Sequence, residues 1–193
     1  DRCAADTDIS CVIIRGEGER GLCAGGDIRA IHQAGRASDP EVTRFWREEM
    51  PFNYRISRYE KPYVALMDGI VMGGGVGISA HGSHRIVTER TKLAMPETGI
   101  GYVPDVGATW LLPRAPGEAG TWMGLTGDVV DGADAIHAGL ADSFVPSEKL
   151  DDLVAAIGQL PGDSEAEAVQ AVIDGFTVSA EGAAHSACIL PSS

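Results

Sequence analysis

The chain has 193 residues, 44% of them hydrophobic, with 28 acidic against 15 basic side chains and a formal net charge of −13. That length and apolar content suit one core, so a single domain is expected. The acidic balance argues against a nucleic-acid surface, since phosphate contacts rest on Lys and Arg, while local donors keep anionic small molecules open.

Cys11-Val-Ile-Ile-Arg15 is a short β-branched run and predicts a buried strand. Residues 27–37 read as a helix, with Asp27 placed to cap its start. Residues 41–58 have helical composition and an apolar stripe of Val42, Phe45 and Trp46. Tyr63-Val-Ala-Leu-Met67 predicts a second strand, followed by a glycine-rich turn over 69–77 and a helix over 76–82. Arg85-Ile-Val-Thr88 and Lys92-Leu-Ala-Met95 read as two more strands. Helices follow over 107–112, 117–126 and 132–138, then a short strand at Phe144-Val145 and an amphipathic helix over 150–159 opened by Ser147. After Leu160 the chain is acidic and alanine-rich, with no clear final element. The order argues an α/β domain without internal repeats. Both ends read as abrupt, so a piece of a longer protein is expected. Residues 1–150 are taken as the core and 151–193 as a helical segment of the same unit.

No apolar run is long enough to span a bilayer, so no membrane partner is expected. The opening Asp1-Arg-Cys-Ala-Ala-Asp6 lacks signal-peptide character, and a soluble cytoplasmic protein is the expectation. Cys3, Cys11, Cys23 and Cys188 show no zinc-type or CxxC spacing and read as free thiols. His81 and His84 stand three apart without a third ligand, so no metal is assigned. His32, His137 and His185 read as isolated surface or helix residues. Trp46, Trp110 and Trp122 read as core or interface. Cys23 has no histidine base beside it and reads as a small buried hydrophobe.

Gly16-Glu-Gly-Glu-Arg-Gly21 matches G-x-G-x-x-G. Glu17 and Glu19 would repel a pyrophosphate there, and a new loop begins where a dinucleotide-binding helix should run, so a plain turn is the better reading. Leu22-Cys-Ala-Gly-Gly-Asp27 and Met72-Gly-Gly-Gly-Val-Gly77 each lead from a strand toward a helix. Two backbone N–H groups aimed at one point from such loops would form an oxyanion hole. Either loop alone reads equally well as tight helix packing. Neither carries the G-K-[ST] of a P-loop.

Glu97 and Asp105 lie in Met95-Pro-Glu-Thr-Gly-Ile-Gly-Tyr-Val-Pro-Asp-Val-Gly107, each directly after a proline. Spacing alone favours a helix cap for one and a solvated carboxylate for the other. Two fixed acids can also supply a nucleophile or base and an acid or orienter.

Leu22–Asp27, Lys61-Pro-Tyr-Val-Ala-Leu-Met-Asp-Gly69, Met72–Gly77 and Met95-Pro-Glu-Thr98, in this order and spacing, resemble the crotonase (enoyl-CoA hydratase/isomerase) superfamily. Within it the chain most resembles the 3-hydroxyisobutyryl-CoA hydrolase branch, from about residue 12 to 150. The resemblance implies an α/β crotonase-type (ββα) spiral core with C-terminal helices, incomplete at both ends. It implies oxyanion-hole amides at Gly26 and Gly74, which should both reach one oxygen at about 3 Å. Glu97 and Asp105 are the implied catalytic acids, and Ala24, Asp27 and Glu49 the implied substrate contacts. Glu49 reads equally well as part of a solvated helix face. Lys61 and Arg29 are candidates to meet coenzyme phosphates.

In the hydratase branch a second catalytic Glu stands where this chain has Gly77, and a Gly stands where it has Asp105. Both differences match the hydrolase branch, and Asp105→Gly with Gly77→Glu would restore the hydratase pattern of acids; the resemblance alone implies the substrate, a short, branched 3-hydroxyacyl-CoA, as in valine breakdown. The alternatives are enoyl-CoA hydration or isomerisation, and an acyl-CoA-binding subunit without turnover. The implied partner is the acyl-CoA substrate. No metal or redox cofactor is implied, coenzyme A being part of the substrate. Relatives of this kind often form trimers or pairs of trimers, although the hydrolase branch need not.

Overall fold

The computed structural model describes residues 2–162 and 164–180. His185 and Cys188 lie outside them. In chain order the elements are α1 (Arg2–Ala5), β1 (Val12–Ile14), β2 (Gly21–Cys23), α2 (Ile28–Arg36), α3 (Glu41–Ser57), β3 (Tyr63–Met67), β4 (Ile70–Met72), α4 (Gly74–Ser79), β5 (His84–Val87) and β6 (Lys92–Ala94). After a short 3-10 turn at Pro96–Ile100 come α5 (Ala108–Leu111), α6 (Ala119–Thr126), α7 (Gly132–His137), β7 (Ser143–Phe144), α8 (Leu150–Ile157) and α9 (Ala166–Asp174).

Successive strands alternate between two sheets. One has the order β1-β3-β5-β7 and the other β2-β4-β6, and every pairing within them is parallel. Each circuit of the chain therefore gives one strand to each sheet before a helical crossover, which is the expected ββα spiral. Parallel neighbours require such crossovers, because a tight turn can only reverse the strand.

β3 sits inside the larger sheet and is buried along its whole length. Its side chains divide by the two-residue period of a strand. Tyr63, Ala65 and Met67 join the core between the sheets, with Val71, Leu93 and Met95. Val64 and Leu66 face the other way, onto Leu150, Leu153 and Ile157 of α8 and Val169 and Ile173 of α9. α8 and α9 thus cover the outer face of the larger sheet. α9 lies where no final element is expected from composition; its apolar positions Val169 and Ile173, four apart, make its buried stripe.

Several expectations change. Residues 70–72, read as part of a turn, form strand β4, and the helix after it begins at Gly74 rather than at 76. Gly21 opens strand β2 inside the G-x-G-x-x-G motif, and a Cβ on it would stand 2.0 Å from Ile70 N. A Cβ on Gly16 would stand 2.0 Å from Gly21 O. Those glycines permit backbone to lie on backbone; no cofactor is needed to explain them. The 11–15 strand is half-buried rather than buried. Trp110 is 56% exposed, with the Arg114 guanidinium 3.8 Å from its ring centroid, so it is not a core residue.

Leu153 is fully buried where α8 meets the outer face of the larger sheet. Leu153→Ala is expected to destabilise the fold by about 2–5 kcal/mol through lost burial and a residual cavity, read as a lowered midpoint in urea unfolding at unchanged slope.

Candidate active site

The parallel register of β2, β4 and β6 brings their carboxyl ends side by side, with Cys23 beside Val71 and Met72 beside Ala94. The residues that follow each strand are Ala24–Gly26, Gly73–Gly74 and Pro96–Glu97. They line one cleft of about 330 Å³, closed on its other side by Phe45, Trp46 and Glu49 of α3 and by Tyr102 and Asp105.

α2 begins where Asp27 Oδ1 accepts the Ala30 amide at 3.0 Å. α4 begins at Gly74 after Gly73 takes a φ of 53°. A Cβ on Gly75 would stand 2.2 Å from Cys23 O, so only glycine lets this helix start against β2. A Cβ built on Gly74 would lie 3.8 Å from Gly26 N. A Cβ stands about 2.5 Å from its own nitrogen, so the two amide nitrogens are no more than about 6.3 Å apart.

Three carboxyl residues, Glu49, Glu97 and Asp105, line the cleft with those glycines. Glu97 Oε1 lies 2.9 Å from where a Cβ on Gly73 would stand, and Glu49 Oε1 the same distance from that of Gly74. Glu97 is buried, and its Oε2 has no hydrogen-bond partner among the described residues. Asp105 accepts a side-chain hydrogen bond from Trp46, whose ring lies 6.2 Å from that of Tyr102. α5 has no side-chain cap, so the Asp105 carboxyl is not the cap that spacing alone favours.

Burial raises all three acids. It pushes Glu49 from 4.5 up to about 7, with help from the Asp105 and then the Glu97 charge. Burial and then the Asp105 charge raise Glu97. Burial raises Asp105 too, against the Trp46 hydrogen bond that lowers it. The Tyr102 hydroxyl is also raised, by burial and then by Asp105, Glu49 and Glu97.

Position 77 is closed. A Cβ on Gly77 would stand 2.7 Å from Val106 Cβ and 2.8 Å from Asn53 Nδ2. A side chain at position 77, as in Gly77→Glu, therefore requires Val106 and Asn53 to move.

Of the residues singled out from sequence, Ala24, Gly26, Gly74, Glu49, Glu97 and Asp105 line the cleft. Asp27 does not; its carboxylate is taken up by the cap of α2. Lys61 Nζ donates to the backbone oxygens of Cys3 and Asp6, at 2.8 and 2.5 Å, rather than standing at the cleft. Trp46 and His32 line the cleft although the sequence reading set them aside. The signal for Trp46 was its position three residues before Glu49, on the same helical face. His81 and His84 turn to different partners, Val106 O and Ser83 Oγ. Among the described residues, no three His, Cys, Asp or Glu side chains stand where they could hold a metal. No described helix is long and apolar enough to cross a membrane.

Residues 1–190 match the family model for enoyl-CoA hydratase/isomerase. The chain belongs to that family. Among curated relatives, the mitochondrial 3-hydroxyisobutyryl-CoA hydrolase of Danio rerio is 48% identical over 165 residues, 86% of this chain and 43% of that protein. The small ribosomal subunit protein mS47 of Neurospora crassa is 44% identical over 153 residues, 77% of this chain and 30% of that protein. Among solved structures, a carnitinyl-CoA dehydratase from Mycobacterium thermoresistibile superposes with a TM-score of 0.84 at 49% identity, covering 92% of this chain and 51% of that one. The crotonase-type fold is thereby established. The chain spans less than half the length of these curated relatives. One expectation is corrected: the related hydrolases are mitochondrial proteins, in Homo sapiens as in Danio rerio, and they point away from the cytoplasm.

The raised acids carry a pH signature. Between about 4.5 and about 7 the folded chain keeps the Glu49 proton while the unfolded chain has lost it, so stability falls as pH rises through that window. Glu49→Gln removes this dependence. The variant's melting temperature is expected to fall less than the wild type's between about pH 5 and about pH 8, measured by calorimetry at both values.

Proposed function

We propose that this protein hydrolyses a short, branched 3-hydroxyacyl-CoA thioester of the 3-hydroxyisobutyryl type, as in valine breakdown, to the free acid and coenzyme A. One observation carries the choice of hydrolysis over two-acid hydration. Glu97 and Asp105 share a cleft with the Gly26 and Gly74 amides, while position 77 is filled by Val106 and Asn53. The name of the Danio rerio relative supports the substrate class.

The amides of Gly26 and Gly74 hold the thioester oxygen and stabilise the charge that gathers on it as the carbonyl is attacked. Glu97 either attacks the carbonyl carbon or draws a proton from the water that does. The C–S bond breaks and the thiolate takes up a proton; water attack gives the free acid directly, whereas attack by Glu97 gives a mixed anhydride that a water then cleaves, releasing the acid and returning the Glu97 carboxylate. Asp105 binds the 3-hydroxyl or passes the proton. Glu49, held near neutrality against Gly74, meets the hydroxyacyl group from α3. These protein groups account for each step, so the proposal calls on no metal or redox cofactor. For self-association we propose a trimer or a pair of trimers, on the strength of the family alone.

A reading without turnover, as a component of a larger assembly, is favoured by the Neurospora crassa relative, whose name places it in a ribosomal subunit. Release of free thiol from 3-hydroxyacyl-CoA by full-length protein separates the two.

Glu97→Gln keeps the shape of the side chain and loses its basicity and nucleophilicity. Thiol release is expected to fall by roughly a hundredfold or more, with coenzyme A affinity by calorimetry nearly unchanged. Wild-type turnover in the variant would sink this role. Asp105→Asn keeps an acceptor for the Trp46 hydrogen bond and removes the acid. It is expected to slow hydrolysis of 3-hydroxyacyl-CoA by roughly a hundredfold, and to slow hydrolysis of the matching thioester without the hydroxyl less. Equal, small effects on both substrates together with a lowered melting temperature would assign Asp105 to stability instead.

A further inference from the structure

Residues 105–108 form a turn closed by the Ala108 amide, which donates to Asp105 O at 2.7 Å. Its two central residues both have positive φ: Val106 at 45° and Gly107 at 87° with ψ 10°. That is the φ pattern of a type I′ turn, which glycine, asparagine and aspartate dominate. For a β-branched residue the conformation is an outlier that persists only when the surroundings enforce it.

Two contacts enforce it here. The Val106 side chain is fully buried and fills the space above Gly77. The Val106 carbonyl lies 2.7 Å from His81 Nε2. A carbonyl can only accept, so Nε2 carries the hydrogen. The His81 ring also leaves no room on Gly107, where a Cβ would stand 2.7 Å from Nε2.

His81 does not line the acid cleft. It faces a separate cavity of about 630 Å³ with Met50, Asn53 and Trp110. It follows directly after Ala80, the residue that ends α4, and the other end of α4 is Gly74. A six-residue helix thus stands between one proposed oxyanion-hole amide and the side chain that holds the Asp105 turn.

We propose that His81 is a positioning residue: its Nε2–H···O=C bond to Val106 holds the turn that aims Asp105 into the cleft and seats Val106 against Gly77. The role of Asp105 in thioester hydrolysis rests on the function proposed above, so one arm of the test does not depend on turnover.

The test compares His81→Phe, which keeps a ring and loses the donor, with His81→Gln, whose amide nitrogen reaches about as far and can donate. In full-length protein His81→Phe is expected to lower kcat for 3-hydroxyacyl-CoA about tenfold or more with KM within about twofold, since small misplacements of a reacting group have effects of that size. His81→Gln is expected to recover kcat to within about threefold of wild type. In crystal structures residue 106 should leave the left-handed region in His81→Phe, with the Asp105 carboxyl displaced, and keep it in His81→Gln. A His81→Phe structure with residue 106 and Asp105 unmoved would overturn the proposal, as would equal loss of kcat in both variants with Asp105 in place. If the wild type releases no thiol, the hydrolase reading fails and the crystallographic arm decides the role of His81. If His81→Phe does not fold, His81→Asn, too short to reach the carbonyl, takes its place.

Discussion

The parallel pairing of β2, β4 and β6 is the constraint on which the site depends. Parallel neighbours end on the same side, and the register Met72 with Ala94 brings the starts of two loops together although the chain between them visits the other sheet. Ligand sites at the carboxyl ends of parallel strands are a general property of such sheets. Here three-residue strands suffice, because the larger sheet and its buried β3 fix where each short strand must lie. A slip of one residue between β4 and β6 would turn each β6 side chain to the opposite face and part Glu97 from Gly73.

The same convergence explains the electrostatics. Carboxyl groups delivered by α3, by the turn after β6 and by the turn before α5 meet in a partly dry cleft. Each is raised by burial, and Glu49 and Glu97 also by a neighbouring charge. Glu49, pushed up to about 7, is thereby suited to exchange a proton near neutral pH. The start of α4 and the loop after β2 form another wall of the same cleft. Trp46 joins the two sides, walling the cleft with its ring and holding Asp105 with a hydrogen bond.

What the sequence could reveal follows from what is local. The run at 63–67 is apolar throughout because both faces are buried, and its limits are those of β3. Asp27 announced the start of α2 because a cap involves only neighbours. β2 and β4 were hidden in glycine runs, since their three residues are strands only through partners far along the chain. The pair Glu97 and Asp105 stood out by residue type, and the family motifs tied it to Gly26 and Gly74. Trp46 read as an ordinary stripe residue because nothing local shows that the stripe faces a cleft. The closure of position 77 needs Val106 and Asn53 folded against it, which no spacing along the chain encodes.

That closure orders the routes by which such a scaffold could change its chemistry. A glutamate arriving first at 77 meets the Val106 and Asn53 side chains. A glycine arriving first at 106 both clears space above Gly77 and suits the positive φ already present, so it is the permissive step. A change of the acids on this framework is thus coupled to the residue after Asp105, whose side chain must give way before position 77 can carry one of its own.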